Sequence, residues 1–383
     1  MPETTRTRKQ PLDFRKEEVG RVMERWRASE SCSLVGVGSV GKSNLLQHLA
    51  DTDVQAFYME VTKVERFKAI IIDPSLLGPL PIAGVNMDQV RCWAGYELMM
   101  HRLFLAFYPF EMLTKEESKQ FIETYQALQD GTNPLYAYMG LRYFELGLEF
   151  FMRRGIQIVF MFDEFEEMVR QLPVKFFQTL RGIRDTNKSQ LSYLTFTRSP
   201  ILEITQQEEI SLLSIEPFAE LFTDNVYYVG PYNESDARQM VESLTRRNQK
   251  TYDDYIINFL LWATGRYAGL LRAGFRVLDT LGNLEASNVM TSGEHLVQQL
   301  AARRGIRTEC RTIWASLNRM EQYVLRAVAG LNPSVDTNDP ETGEAVALLV
   351  QKRLLRVNKE QKQLVIEPPV FHAYVANDID TAP

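Results

Sequence analysis

GVGSVGKSNLL, Gly36 to Leu46, admits two readings. Gly36, Gly38 and Gly41 satisfy the GxGxxG spacing of a dinucleotide turn, while Gly36, Gly41, Lys42 and Ser43 satisfy the GxxxxGK[ST] spacing of a phosphate loop. A dinucleotide turn needs close helix packing where Lys42 and Ser43 stand. A phosphate loop instead needs an ammonium for the β- and γ-phosphates and a hydroxyl for Mg²⁺. Lys42 and Ser43 supply both in the right order, and they decide the reading. The flanks agree, because Ser33-Leu34-Val35 reads as a strand and Ser43 to Leu49 as a helix. Backbone N–H groups of Gly36, Val37, Gly38, Ser39, Val40, Gly41, Lys42, Ser43 and Asn44 are then the expected cradle for ATP or ADP, at a helix N-terminus.

The second decisive stretch is IQIVFMFDEFEE, 156–167. Ile158 to Phe162 is five apolar residues in a row, as a parallel strand buried on both faces requires. It ends in Asp163 and Glu164. Ligands of open α/β sheets sit off the carboxyl ends of strands, so both acids face the expected phosphates. Asp163 can hold Mg²⁺ together with Ser43, and Glu164 can orient or deprotonate an attacking water. Glu166 and Glu167 add to the acidity, and the alternative reading of this stretch is a solvated acidic turn. A later strand, Leu191 to Thr197 of LSYLTFTRSP, is tipped by Arg198. Its guanidinium can contact a γ-phosphate, or it can pair with a surface carboxylate. Strands alternating with helices predict a parallel sheet.

The remaining chain divides around that sheet. A polar, basic tail covers 1–12 and an α/β domain 13–230, opened by a helix whose Val19, Val22, Met23 and Trp26 share one face. Helices are expected at Met87 to Tyr108 and Asn133 to Arg154, and DTDVQAFYMEV is ambiguous. A small helical lid domain follows at 231–284, capped at Asn233 and hinged at Thr264-Gly265. A helical connector is expected at 285–316. A winged-helix domain follows at 317–377, with Asn318 and Glu321 as N-cap and N3, an apolar stripe from Met320 to Leu331, and strands at Leu355 to Asn358 and Gln363 to Glu367. The residues 378–383 form a tail.

Composition narrows the function classes. The chain has 383 residues, 45% of them hydrophobic, and a net charge of −6, which gives no global attraction to nucleic acid or anionic lipid. Cys32, Cys92 and Cys310 are widely spaced, and His48, His101, His295 and His372 form no ligand spacing, so no disulfide framework or zinc cluster is expected. The start lacks an apolar signal region and no apolar run approaches a membrane span. Cytoplasmic location without a membrane partner is the expectation.

The order of DFRKEEV, GVGSVGKS, IVFMFDEFEE, LTFTR, helical lid and winged helix resembles the STAND branch of AAA+-related P-loop ATPases, which is similar to the origin-recognition and NB-ARC types. The likeness covers about residues 13 to 376. It implies that Lys42 binds phosphates, that Ser43 and Asp163 hold Mg²⁺, and that Glu164 acts in hydrolysis. Arg198 resembles the sensor arginine that closes a TTR motif, and Phe14 and Arg15 resemble residues lining an adenine pocket. ATGRYAGLLR resembles the lid motif TGGxPxLL, with Ala268 where the proline stands; Arg266 and Arg272 are its sensor candidates. The family implies a slow, regulatory ATPase: a nucleotide-controlled switch that forms homo-oligomers and acts on protein partners. With motifs beginning near residue 13 and ending near 376, effector or sensor functions are expected to come from a partner.

The alternative is a DNA-associated ATPase of the origin or transposition type, holding duplex with the winged helix. Between Arg311 and Asn377 eight Lys and Arg face seven Asp and Glu, too even a balance for tracking phosphates. The run Lys352, Arg353, Arg356, Lys359 and Lys362, read as a solvated face, keeps the alternative open.

Overall fold

The computed structural model describes residues 10–59, 66–78, 80, 86–131, 135–208, 210–281, 293–332, 339–358 and 363–377. The chain forms two compact units, one of Met1–Leu34 and Ser43–Tyr227, the other of Val35–Lys42 and Tyr228–Pro383.

The first unit is built on a five-stranded sheet. Its strands are β1 (Cys32–Val35), β2 (Phe67–Ile72), β3 (Gln157–Phe162), β4 (Leu191–Thr197) and β5 (Val226–Tyr228), in the order β2-β3-β4-β1-β5. β2 and β3 run parallel from Phe67 opposite Gln157 to Ile72 opposite Phe162, and β3 and β4 from Ile158 opposite Leu191 to Phe162 opposite Thr195. All of β4 and the last five residues of β3 are buried. Burial on both faces explains the unbroken apolar run of β3. Two hydrogen bonds link β4 sideways to the start of β1: Thr195 donates to the Ser33 hydroxyl at 2.9 Å, and the Tyr193 amide donates to that of Ser31 at 3.0 Å. These bonds fix β4 beside β1.

Helices cover the sheet. In α1 (Lys16–Arg27), Val19, Val22, Met23 and Trp26 are buried as their spacing predicts. α2 (Lys42–Leu49) follows the glycine-rich loop, and the ambiguous stretch is helix α3 (Thr52–Tyr58), started by the Asp51 carboxylate accepting from the Asp53 amide. Between β2 and β3 lie α4 (Met87–Phe107), α5 (Lys115–Gln129) and α6 (Tyr136–Met152). Their interface is aromatic, with Phe107 stacked on Phe151 at 3.8 Å between ring centroids. Helix α5 is absent from the sequence reading, although Thr114 and Glu117 close a complete capping box in front of it. α7 (Phe165–Gln171), α8 (Val174–Thr186), α9 (Ile201–Gln207) and α10 (Leu212–Ala219) complete this unit.

The second unit holds the glycine-rich loop and the C-terminal helices. Asn233 caps α11 (Glu234–Asn248) by accepting from the Asp236 amide at 2.8 Å. α12 (Asp254–Thr264) ends at Gly265, whose φ of 55° is the left-handed conformation that glycine adopts without penalty. Then follow α13 (Ala268–Val277), α14 (Gly293–Ala301), α15 (Arg304–Ala315), α16 (Arg319–Val328) and α17 (Pro340–Gln351), a hairpin of antiparallel β6 (Leu355–Asn358) and β7 (Gln363–Ile366), and α18 (Pro369–Asn377). The expected connector holds α14 and α15 in its described part; residues 282–292 lie outside it. Residues 333–338, between α16 and α17, also lie outside the described residues. Burial pushes the thiols of Cys32 and Cys92 up to about 12 and about 11, which leaves both inert near neutral pH. No helix among the described residues is long and apolar enough to cross a membrane.

One expectation is overturned here. Lys352 is not on a solvated cationic face: its Nζ lies 2.6 Å from Glu321 Oε1, and both side chains are fully buried. Glu321 also accepts from the Asn318 amide at 2.9 Å, closing the capping box of α16. Burying the ammonium is tolerable because this carboxylate is already fixed by the helix start. Among the described cations of the run, Arg353 and Arg356 remain exposed, and Arg356 pairs with Glu367 at 3.2 Å; Lys359 and Lys362 lie outside the described residues. Lys352→Met, which strands Glu321 as a buried unpaired charge, should lower unfolding stability by about 3–5 kcal/mol in urea denaturation. Lys352→Met with Glu321→Gln, which keeps the cap and removes the charge, should recover most of that loss.

Candidate nucleotide site

The glycine-rich loop leaves β1 and turns through Ser39 at φ 63° and Gly41 at φ 99°. Such left-handed steps aim successive backbone N–H groups into one concavity, the nest in which phosphates bind. Two approaches require its glycines. A Cβ on Gly41 would come within 3.0 Å of the Tyr232 hydroxyl and 3.1 Å of the Ala268 Cβ, and one on Gly36 within 3.1 Å of the Val229 carbonyl. The Lys42 ammonium folds back on its own loop, donating to the carbonyls of Gly36 and Val37, the latter at 3.2 Å. Ser43, in the first turn of α2, is exposed and Asn44 half-buried, while Val37 and Val40 are buried beneath the loop.

The loop is also covered. Its Gly38 amide donates to the Ser316 hydroxyl at 3.2 Å, the Ser39 hydroxyl donates to the Glu309 carboxylate, and the Ser39 carbonyl accepts from the Gly269 amide at 2.9 Å. Glu309 and Ser316 belong to α15 and its C-cap, and Gly269 to the first turn of α13.

At the carboxyl end of β3, the Asp163 amide donates to the Ile72 carbonyl at 2.9 Å, and the Asp163 carboxylate accepts from the Glu164 amide at 3.0 Å. Glu164 is exposed and sits at φ 40°, ψ 52°, as the N-cap of α7. A non-glycine residue in this region costs on the order of 1–3 kcal/mol and is held only where its surroundings impose it. Arg198, at the end of β4, reaches both acids of this turn, with Nε 3.1 Å from Glu166 Oε1 and a terminal nitrogen 3.6 Å from Glu164 Oε1. The sequence assigns Glu166 no role beyond adding to the acidity of the turn, yet its side chain is only 8% exposed. The signal for it lies in helical spacing, since Phe165, Met168 and Val169 are the apolar neighbours with which Glu166 is buried.

Phe14 is fully buried, its ring 5.2 Å edge-on from the His48 imidazole of α2, and the buried Arg15 pairs with Glu18 at 2.7 Å. Both adenine-pocket candidates are thus packed into the base of the phosphate-loop helix and present no open face. Arg266, at φ 63°, closes the turn after α12 and accepts from the Tyr232 amide at 3.1 Å through its carbonyl.

These residues fit the groups that the motifs imply. The nest suits a polyphosphate. One hydroxyl and one carboxylate, Ser43 and Asp163, suit Mg²⁺, which keeps most of its waters and takes oxygens from phosphate. Among the described residues no group of three or more His, Cys, Asp or Glu forms a separate metal cage.

No family model matches the chain, and no curated protein does. Solved structures do. The Walker-type ATPase PABY2304 of Pyrococcus abyssi is 16% identical, with a TM-score of 0.50 over 96% of this chain and 97% of that one. The ORC2 protein of Aeropyrum pernix, solved as ADPNP–ADP complexes, is 11% identical, with a TM-score of 0.50 over 100% of this chain and 95% of that one. At these identities the likeness is one of fold, and it extends along the whole chain. The fold is α/β, of the P-loop NTPase type found in AAA+ ATPases.

Replacing Arg198 by Ala removes the cation beside the buried Glu166. Stability should fall by about 1–3 kcal/mol in urea denaturation, the range for hydrogen bonds to charged groups. Arg198→Ala with Glu166→Gln should restore stability without restoring any function lost with the guanidinium.

Proposed function

We propose that the chain binds ATP and ADP at the Gly36–Asn44 loop, hydrolyses ATP slowly, and acts as a molecular switch whose nucleotide state controls its conformation, oligomerisation and partner binding. The observation that carries this reading is the covered loop: backbone and side-chain groups of Gly38 and Ser39 are bonded to α13 and α15, so a ligand entering the nest must disturb them. In this reading the segment 231–284 is a lid, and 317–377 is a winged helix built from α16, α17 and the β6–β7 hairpin.

Each group then has a task. Backbone N–H groups of the loop hold the phosphates and Lys42 swings from its own carbonyls to neutralise them. Ser43 and Asp163 hold Mg²⁺, which screens charge on the phosphate oxygens. Glu164 orients and deprotonates the attacking water, and its exposed position at a strained turn leaves it accessible for that role. Arg198, anchored by Glu166, is aimed by a buried carboxylate and stabilises charge developing on the transferred phosphoryl group. Binding of duplex DNA by the C-terminal domain is the weaker reading, since Lys352 is consumed internally and Arg356 is paired.

Lys42→Ala should abolish nucleotide binding measured by calorimetry while leaving the melting temperature nearly unchanged. Glu164→Gln should still bind ATP with Mg²⁺ but hydrolyse it at least ~10²-fold more slowly. Asp163→Asn should weaken the magnesium-dependent part of binding. Identical magnesium titrations for the two acid variants would show that their separate roles are wrong, and unchanged affinity in Lys42→Ala would refute the site.

A further inference from the structure

Helix α15 has two faces. Ile306, Cys310 and Ile313 are buried along one side, whereas Glu309, Thr312 and the following Ser316 recur at i, i+3 and i+7 on another. That second stripe lies on the phosphate loop. Ser316 accepts from the Gly38 amide and donates to the Ile313 carbonyl at 2.5 Å, so its hydroxyl is fully committed to this junction. Thr312 lies so close that a Cβ on Gly38 would be 2.6 Å from its Cγ2 and from its carbonyl oxygen. The Glu309 carboxylate accepts a hydrogen bond from the Ser39 hydroxyl, and its carbonyl stands 3.4 Å from the same hydroxyl. The carboxylate also reaches the start of α13, where a Cβ on Gly269 would collide with Glu309 Oε2.

The chemistry of this junction is out of keeping with simple packing. A nest of backbone N–H groups followed by a lysine attracts anions, and the side chain placed on its rim is itself an anion. A carboxylate there has opposite effects on two ligands. It is compatible with a loop that carries less phosphate charge, and each further negative charge brought beside it is repelled. A like charge close by disfavours the ionised form of a group, so each added phosphate charge is penalised more than the last.

We propose that Glu309 is a specificity-determining residue of the phosphate loop: held by Ser39, its carboxylate selects against a nucleoside triphosphate relative to the diphosphate. Full occupancy by triphosphate requires the Ser39–Glu309 bond to break and α15 to give up its seat on Gly38. This rests on the nucleotide reading of the loop, and adds to it the residue through which the C-terminal helices sense the number of phosphates.

The test uses the full chain and fluorescent ADP and a non-hydrolysable ATP analogue, each titrated with Mg²⁺ at several salt concentrations. Glu309→Gln keeps the shape and an acceptor for Ser39 but removes the charge. It should raise affinity for the triphosphate analogue by about 10-fold and change ADP affinity far less, and the difference should shrink at high salt, where charge is screened. Glu309→Asp, which retains the charge, should stay close to wild type in the ratio of the two affinities. An unchanged ratio in Glu309→Gln, with wild-type binding still dependent on Lys42, would overturn the role of Glu309 and leave the nucleotide site standing. Equal gains for both nucleotides would also overturn it, since they show a steric cover with no phosphate discrimination. Binding of neither nucleotide by wild type and variant alike would remove the nucleotide reading and this inference together.

Discussion

Burial of β3 and β4 on both faces is the constraint from which the rest of the molecule follows. With every residue of β4 covered, the centre of the sheet is closed to ligands, and the charged groups of the candidate site stand past strand ends. Asp163 and Arg198 are the first residues past two adjacent parallel strands; with Phe162 opposite Thr195, β4 runs two residues further than β3, and both residues leave the same carboxyl edge of the sheet. The pairing of Arg198 with Glu166 and Glu164 is a consequence of that alignment. Inside the sheet, the Thr195 hydroxyl donates to that of Ser33.

What could be read from the sequence was local. The glycine loop, the apolar run ending in two acids and the capping residue Asn233 each carry their evidence within a few neighbouring positions, and so the strands and most helices lie where the patterns put them. Helix α5 was legible through Thr114 and Glu117 but lay between two longer apolar helices that drew the assignment. The pairs that lie far apart in sequence were invisible. Lys352 is 31 positions from Glu321, and Ser39 is 270 from Glu309, and nothing in a cluster of lysines and arginines distinguishes the one that will be buried. Glu166 escaped for a related reason: four acids in five positions look like a solvated turn, yet one of them is enclosed by the helix that begins there.

The charged groups of the chain follow one physical rule in three settings. Lys352 is buried against a carboxylate already fixed by a helix cap, Glu166 is buried against a partly exposed arginine, and Glu309 remains half-buried beside a hydroxyl. The cost of removing a charge from water is offset in proportion to how well the partner is preorganised. The last of the three is held by a hydroxyl, and it is the one that stands on the glycine-rich loop.

The short turn between α12 and α13 joins two parts of the second unit. A Cβ on Gly265 would press to 2.6 Å from Pro368, at the end of the hairpin, and the buried Tyr267 hydroxyl donates to the carbonyls of Lys352 and Arg353 at 3.2 Å each. Two residues on, the Gly269 amide holds Ser39. Five consecutive residues therefore grip the hairpin base with one end and the phosphate loop with the other. Coupling free energy is reciprocal: whatever strain a ligand in the loop transmits to the hairpin, a partner seated on the hairpin returns to the loop by the same factor in affinity. The turn is thus a lever with two handles, one on the hairpin base and one on the glycine-rich loop.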